Sequence, residues 1–152
     1  MELKTKQLGK FIPEDVKEIA ALLADNEHSC YVVGGSIRDL LIGRNPKEFD
    51  LATDATPEIV QQLFEKTIPT GIRFGTVTII YNEAQYQITT FRTEGKYSDG
   101  RHPDNIEFAK SIEEDLARRD FTINALAYNP LTFEMVDAFN GLEDLKNKTI
   151  RA

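Results

Sequence analysis

The length, composition and charge of the chain limit what it can be. At 152 residues with 41% hydrophobic content, it is long enough for one domain, because domains usually contain about 100 to 200 residues. The 18 basic and 25 acidic residues give a formal net charge of −7, which excludes a nucleic-acid footprint over the whole surface. A single cysteine, Cys30, excludes an internal disulfide and a thiolate metal cluster.

Hydropathy and cysteine content predict the compartment. No apolar run approaches the roughly 18 residues of a membrane span, and residues 1–10 lack the apolar core of a signal peptide. One unpaired cysteine fits a reducing compartment. We therefore expect a cytoplasmic protein that has no membrane partner.

The first predicted elements form a helix followed by a strand, turn and helix. Apolar residues recur at helical spacing over residues 13–25, and residues 30–33 form a short β-type run. Gly34 and Gly35 break that run, after which Ser36 can cap a second helix that ends near Gly43.

The middle of the chain predicts strands around one helix. Residues 49–52 form a short strand, and Thr56 can cap a helix through Phe64 with a proline in its first turn. Residues 76–81 and 85–91 are β-branched and aromatic and are separated by a turn, which predicts an antiparallel hairpin.

The last third predicts a loop and then mainly helix. Residues 94–105 contain glycines, a proline and charges without a period, which is typical of a mobile loop. Ser111 and Glu114 form a capping-box pattern, and apolar residues over 121–128 suggest a continued helical face. After residue 148 there is no turn or cap signal, so we expect a larger protein to continue beyond Ala152.

The glycine turn is a candidate phosphate site. Gly34 and Gly35 precede a helix N-terminus and Arg38, which places backbone N–H groups and a guanidinium on one surface. That arrangement suits a triphosphate. A simple Gly-Gly turn beside an exposed arginine is the alternative interpretation.

Two carboxylates form a candidate metal site. Glu48 and Asp50 are two residues apart in the predicted strand, so their side chains would share one face and could hold Mg²⁺. Two metal ions can assist phosphoryl-type transfer when oxygen ligands sit on a rigid strand. The alternative is an acidic strand edge exposed to water.

A third candidate site is the basic segment that follows the capping box. Arg118, Arg119 and Asp120 could direct a guanidinium toward phosphate or ribose, or could form a solvated charge run. Arg92 and four residues of the predicted loop could close over a nucleotide or an RNA end, or be an ordinary solvated loop; the four are Lys96, Tyr97, Arg101 and His102.

These segments together resemble a known family. The strings GGSIRDLLIGR at 34–44, EFDLAT at 48–53 and RDFTINALA at 119–127 look like the signatures of class II tRNA nucleotidyltransferases and bacterial poly(A) polymerases, in the DNA polymerase β superfamily. GIRFGTV at 71–77 and TTFR at 89–92 extend the likeness over nearly all of 29–141. The resemblance implies an α/β (α+β) nucleotidyltransferase head, with a mixed, largely antiparallel sheet backed by helices.

The resemblance also implies site roles and partners. Glu48 and Asp50 fall on the Mg²⁺ positions, Gly35 and Arg38 on phosphate contacts, and residues 118–120 on nucleotide and ribose contacts. ATP and CTP would be the substrates and the tRNA 3′ end the acceptor. Two departures stand out: the first metal position is usually aspartate, and Gln87 occupies a place where some relatives have a further carboxylate.

Three functions follow from this interpretation. The first is the catalytic head of a CCA-adding tRNA nucleotidyltransferase, which transfers CMP and AMP to the tRNA 3′ end. The alternatives are a bacterial poly(A) polymerase head and an isolated nucleotide- and metal-binding module without turnover. We expect 1–152 to be the head alone, with the helical neck, body and tail of the family, or a completing polypeptide, outside this chain.

Overall fold

A mixed seven-stranded sheet organises the chain in the computed structural model, which describes residues 8–69, 71–94, 106–109, 111–119 and 121–151. Within these residues the α-helices, α1 to α5, are Glu14–Asp25, Gly35–Leu41, Pro57–Leu63, Ile112–Ala117 and Gly141–Lys146. Short 3₁₀ turns cover Gly9–Phe11, Ile72–Phe74 and Thr122–Asn124.

The strands that the structure describes run from β1 to β9. They are Cys30–Val33, Asp50–Thr53, Thr67–Ile68, Thr76–Tyr81, Ala84–Thr90, Arg92–Glu94, Ile106–Phe108, Ala127–Tyr128 and Met135–Val136. The large sheet has the order β3-β4-β5-β2-β1-β8-β9, and β6 pairs with β7 separately. Only the β2–β5 pair is parallel among the pairs of the large sheet, which confirms the predicted mixed, largely antiparallel sheet.

The sheet is covered by apolar side chains on both faces. Val32 belongs to the larger core cluster, with residues from α1, α2 and α3, whereas Val33 belongs to a second cluster that includes Leu116 of α4. Because successive strand residues point to opposite faces, the two clusters lie on opposite sides of the sheet. The α4 helix is therefore opposite the other helices of the core.

Most predicted elements of the first two thirds are confirmed. The first helix begins one residue after Pro13, and Thr56 caps α3 by accepting the Ile59 N–H at 3.4 Å. The hairpin joins β4 and β5 through Asn82 and Glu83, whose φ values of 50° and 68° suit the tight turn that matches strand twist.

Two local predictions in this region are wrong. Gly34, not Ser36, is the N-cap of α2, and the Ser36 hydroxyl donates instead to the Val33 carbonyl at 3.1 Å. Glu48 precedes the strand, because β2 begins at Asp50. Of the acidic pair, Asp50 is therefore in the strand and Glu48 is in the loop before it.

The predicted helical face over residues 121–128 is also wrong. Ser111 does cap α4, since its hydroxyl accepts the Glu114 N–H at 3.3 Å. Beyond it, Ala127 and Tyr128 form β8 and pair with β1. Leu126 and Tyr128 enter the larger cluster and Ala125 and Ala127 the second, so both faces of this strand are apolar and the period of two is hidden.

Cys30 packs in the core, where its free thiol is buried and unreactive. Its side chain is 4% exposed, and burial raises the pKa of the thiol to about 12. A thiol held in its neutral form is a poor nucleophile and a poor metal ligand.

None of the described helices is both long enough and apolar enough to span a bilayer.

Candidate nucleotide-binding and metal site

The candidate site forms where β1 ends and β2 begins. These strands are antiparallel and Val33 pairs with Asp50, so the Gly34–Gly35 turn starts beside the first residue of β2. Gly34 has φ 72° and ψ −139°, a conformation that favours glycine. The fold thus brings the predicted phosphate turn and the predicted metal carboxylates to one end of the sheet.

The backbone donors of the turn are fewer than the sequence suggested. The Gly34 N–H donates to the carbonyl of Leu126, the residue before β8, at 3.3 Å, so this donor is not available to a ligand. The first N–H groups of an α-helix have no intrahelical acceptor. The remaining donors are therefore those of the first turn of α2, which begins at Gly35.

Asp50 and Glu48 are exposed carboxylates that influence each other. The pKa of Asp50 is raised above its ordinary value, first because nearby protein atoms desolvate the carboxylate and then because Glu48 is negatively charged. The positive charge of Arg119 acts in the opposite direction. Asp50 nevertheless keeps access to solvent, so water screens part of the repulsion. A cation between the two carboxylates would remove the remainder.

Gln87 is the third oxygen donor that the fold places at this point. It is the register partner of Asp50 across the parallel β2–β5 pair, and both residues are exposed. In the described part of the chain no cluster of three or more His, Cys, Asp or Glu side chains could hold a metal ion. The donor set here is thus two carboxylates and one carboxamide, a set of hard oxygen ligands.

Arg38 extends over the start of its own helix. Its Nη1 donates to Asn124 Oδ1 at 2.9 Å, and its Nε and Nη2 each lie 3.2 Å from Asp39 Oδ1. A Cβ atom at Gly35 would lie 3.2 Å from Arg38 Nη2. Arg38 therefore stands against Gly35, with one third of its side chain (34%) exposed.

Arg119 approaches the same turn at the neighbouring glycine, Gly34. A Cβ atom at Gly34 would lie 3.3 Å from Arg119 Nη1, so the guanidinium packs against the bare glycine backbone. Burial is the main cause that lowers the pKa of Arg119 from its ordinary value, and Asp115 and Asp50 oppose that shift. The guanidinium is charged in any case, because arginine in proteins keeps its proton.

Comparison with known proteins decides the family. The sequence model of one protein family, described as the poly(A) polymerase head domain, matches residues 30–151 of this chain. The chain belongs to the poly(A) polymerase head-domain family. The match includes every described residue of the candidate site, from Gly34 to Arg119.

Relatives of this head domain include CCA-adding enzymes. This chain is 55% identical over 130 residues to the CCA-adding enzyme of Lactobacillus helveticus, and the match covers 86% of this chain and 32% of that enzyme. It is 47% identical over 144 residues to the CCA-adding enzyme of Enterococcus faecalis, and the match covers 93% of this chain and 35% of that enzyme. The chain thus spans about a third of the length of these relatives.

Solved structures show the same fold. The Bacillus stearothermophilus CCA-adding enzyme in complex with CTP has a TM-score of 0.82 at 37% identity, covering 91% of this chain and 33% of that one. The Thermotoga maritima CCA-adding enzyme complexed with tRNA has a TM-score of 0.70 at 26% identity, covering 99% and 33%.

Asp115 is a residue of the head domain that the sequence analysis missed. It is only 1% exposed, it lies on α4, and both arginines of the 118–120 segment reach it. Arg118 Nε is 3.4 Å from its Oδ1, and Arg119 Nη2 is 3.2 Å from its Oδ2. The spacings of three and four residues were a visible signal, because such pairs are neighbours on a helix.

Some predicted site residues cannot be placed. Asp120 lies outside the described residues, as do Lys96, Tyr97, Arg101 and His102 of the predicted loop. Arg92 lies within the described residues. Its Nη1 donates to the Phe74 carbonyl at 2.9 Å, and its backbone N–H donates to Asp115 Oδ1 at 3.0 Å.

Proposed function

We propose that this head domain binds a nucleoside triphosphate and Mg²⁺ and acts as the catalytic head of a CCA-adding tRNA nucleotidyltransferase. One observation carries the proposal: Arg38 and Arg119 converge on the Gly34–Gly35 turn beside the Glu48–Asp50 pair. Two guanidiniums next to bare glycine backbone suit phosphate oxygens, and the adjacent carboxylates suit the cation that accompanies a triphosphate.

Glu48, Asp50 and Gln87 are the residues that would hold magnesium. Their oxygen donors fit a hard cation. The pKa of Asp50 is raised mainly by desolvation and then by the negative charge of Glu48, and a cation would compensate that charge. When bound, Mg²⁺ would supply charge stabilisation for the attacking and departing oxygens. The role of Glu48, in a loop and one methylene longer than aspartate, is to reach the same ion from outside the strand.

The arginines would bind and orient the triphosphate. In the proposed reaction the 3′ oxygen of the tRNA bonds to the α-phosphorus of CTP or ATP, and the bond to pyrophosphate breaks. Arg38 lies against Gly35 and Arg119 against Gly34, so they can contact different phosphate oxygens of one ligand. Positioning and charge stabilisation of this kind provide most of the catalysis in phosphoryl transfer.

The named relatives favour tRNA over generic RNA as the acceptor. The two curated relatives described above are CCA-adding enzymes, and the neighbouring structures contain CTP or tRNA. A poly(A) polymerase head is the second candidate, because the family model carries that description. Both candidates place the reaction among nucleotidyl transfers to an RNA 3′ end, and a cytoplasmic location stays a prediction.

A paired experiment tests the proposal. Calorimetry of the 152-residue chain with ATP or CTP, with and without Mg²⁺, measures binding. Primer extension uses a chimera in which the chain replaces the matched head of the Enterococcus faecalis enzyme, acting on tRNA that lacks its last three nucleotides. We expect magnesium-dependent binding and addition of three nucleotides.

Matched controls separate the alternatives. The Asp50→Ala chimera should add no nucleotide while melting no lower than the parent. Long adenosine tails on generic RNA would favour the poly(A) polymerase head. Binding by the chain without any extension by the chimera would favour a nucleotide-binding module, and an active Asp50→Ala chimera would refute the metal assignment.

A further inference from the structure

Asp115 connects Arg92 with the adjacent Arg118 and Arg119 through one buried carboxylate. Its Oδ1 accepts the backbone N–H of Arg92 at 3.0 Å and lies 3.4 Å from Arg118 Nε, and its Oδ2 accepts from Arg119 Nη2 at 3.2 Å. The side chain is 1% exposed, so these contacts replace water almost completely. A buried carboxylate is stable only when it is paired and hydrogen-bonded in this way.

The two ends of the Arg119 guanidinium face different partners. Nη2 contacts Asp115, whereas Nη1 lies 3.3 Å from the position of a Cβ atom at Gly34. The guanidinium is a rigid plane, so a hydrogen bond to one Nη also fixes the direction of the other. Asp115 therefore determines where Arg119 points at the glycine turn.

Asp115 also sets the charge behind the site. Arg118 and Arg119 are adjacent, with side chains only 14% and 18% exposed, and burial and then the positive charge of Arg118 lower the pKa of Arg119. One carboxylate between two guanidiniums leaves a net charge of about +1 facing the turn. Without it, two poorly hydrated cations would repel, and Arg119 would turn toward solvent or toward Asp50.

We propose that Asp115 is a positioning residue that aims Arg119 at the phosphate bound on the Gly34–Gly35 turn. It does not touch the ligand and acts through Arg119. The proposal rests on the proposed nucleotide site, but the orientation of Arg119 can be measured without any nucleotide.

The first experiment reads the orientation directly. Nitrogen NMR of the arginine side chains in the 152-residue chain should show separate Nη signals for Arg119, assigned by their loss in Arg119→Lys, because the Asp115 contact slows rotation of the guanidinium. In Asp115→Asn these signals should merge. Unchanged separate signals would overturn the proposal, whether or not the chain binds ATP.

The second experiment reads the consequence for binding. Asp115→Asn should weaken binding of ATP with Mg²⁺ about tenfold, equivalent to about 1.4 kcal/mol. In an Arg119→Ala background the same substitution should change the affinity less than twofold, because its effect passes through Arg119. Equal losses of affinity in both backgrounds would overturn the proposal. A wild-type chain that binds no ATP would instead refute the proposed function, and the NMR result would then decide whether Asp115 orients Arg119.

Two further variants guard against a purely structural effect. Asp144→Asn is the matched control: Asp144 is another buried aspartate, 7% exposed, bonded to Thr122 and Arg151, and its substitution should lower the melting temperature without changing ATP affinity. If Asp115→Asn does not fold, Arg119→Lys keeps the charge but cannot bridge Asp115 and the turn, and it should lose about tenfold in affinity. No loss in Arg119→Lys would overturn the proposal.

Discussion

The conformation of Gly34 gives the sharpest test of the site geometry. At φ 72° and ψ −139°, its backbone occupies a region that residues with a Cβ atom adopt only under strain. In Gly34→Ala the new methyl group would also lie 3.3 Å from Arg119 Nη1. The substitution therefore perturbs both the backbone turn and the arginine that packs on it.

The expected magnitude follows from these two effects. Backbone strain of this kind costs roughly 1 to 3 kcal/mol, and the loss of glycine entropy in the unfolded chain returns about 0.4 to 1 kcal/mol. The midpoints of these ranges leave a net cost of about 1.3 kcal/mol. For a chain of this size each kcal/mol changes the melting temperature by about 2 to 4 °C, so we expect Gly34→Ala to melt roughly 3 to 5 °C lower. Displacement of Arg119 should weaken ATP binding about tenfold or more.

Gly35→Ala is the matched control because Gly35 has ordinary helical geometry at the first position of α2. Alanine is favoured over glycine in helices, so the variant should melt no lower than the wild type. Its methyl group would lie 3.2 Å from Arg38 Nη2, so the variant should have a lower ATP affinity without unfolding. Differential scanning calorimetry and ATP titration measure both quantities, and a Gly34→Ala transition within about 1 °C of the wild type would refute the strain argument.

Three other predictions concern the charged residues of the site. Asp50→Asn should raise the melting temperature at pH 7, because the raised pKa of Asp50 means that ionisation of its carboxylate is less favourable in the folded than in the unfolded chain. The gain should be small, because water screens the exposed carboxylate, and it should vanish near pH 3 in thermal scans. Glu48→Asp should preserve or increase magnesium-dependent ATP affinity, and a tenfold loss, about 1.4 kcal/mol, would show that the loop has adapted to glutamate. Arg119→Ala should weaken ATP binding more than Arg118→Ala, since only Arg119 packs on the glycine turn; equal losses in titrations would indicate a diffuse basic patch.

The sequence predicted the elements whose signals are local. The hairpin turn at Asn82 and Glu83, the Thr56 cap and the Ser111 cap depend on residues within a few positions of one another, and all three are present. The ordered motifs also predicted the family, because each string is short and contiguous. Their roles in nucleotide and metal binding stay predictions.

Tertiary structure decided what depends on distant parts of the chain. The strand at Ala127–Tyr128 exists because β1 supplies its hydrogen bonds and both sheet faces cover it, so its apolar run could not be distinguished from a helix by periodicity. Asp115 resembled an ordinary acidic residue of a solvated helix until packing buried it. No local sequence pattern encodes the burial of this carboxylate. Because a buried carboxylate must be paired, Asp115 pairs with Arg119, which lies against Gly34.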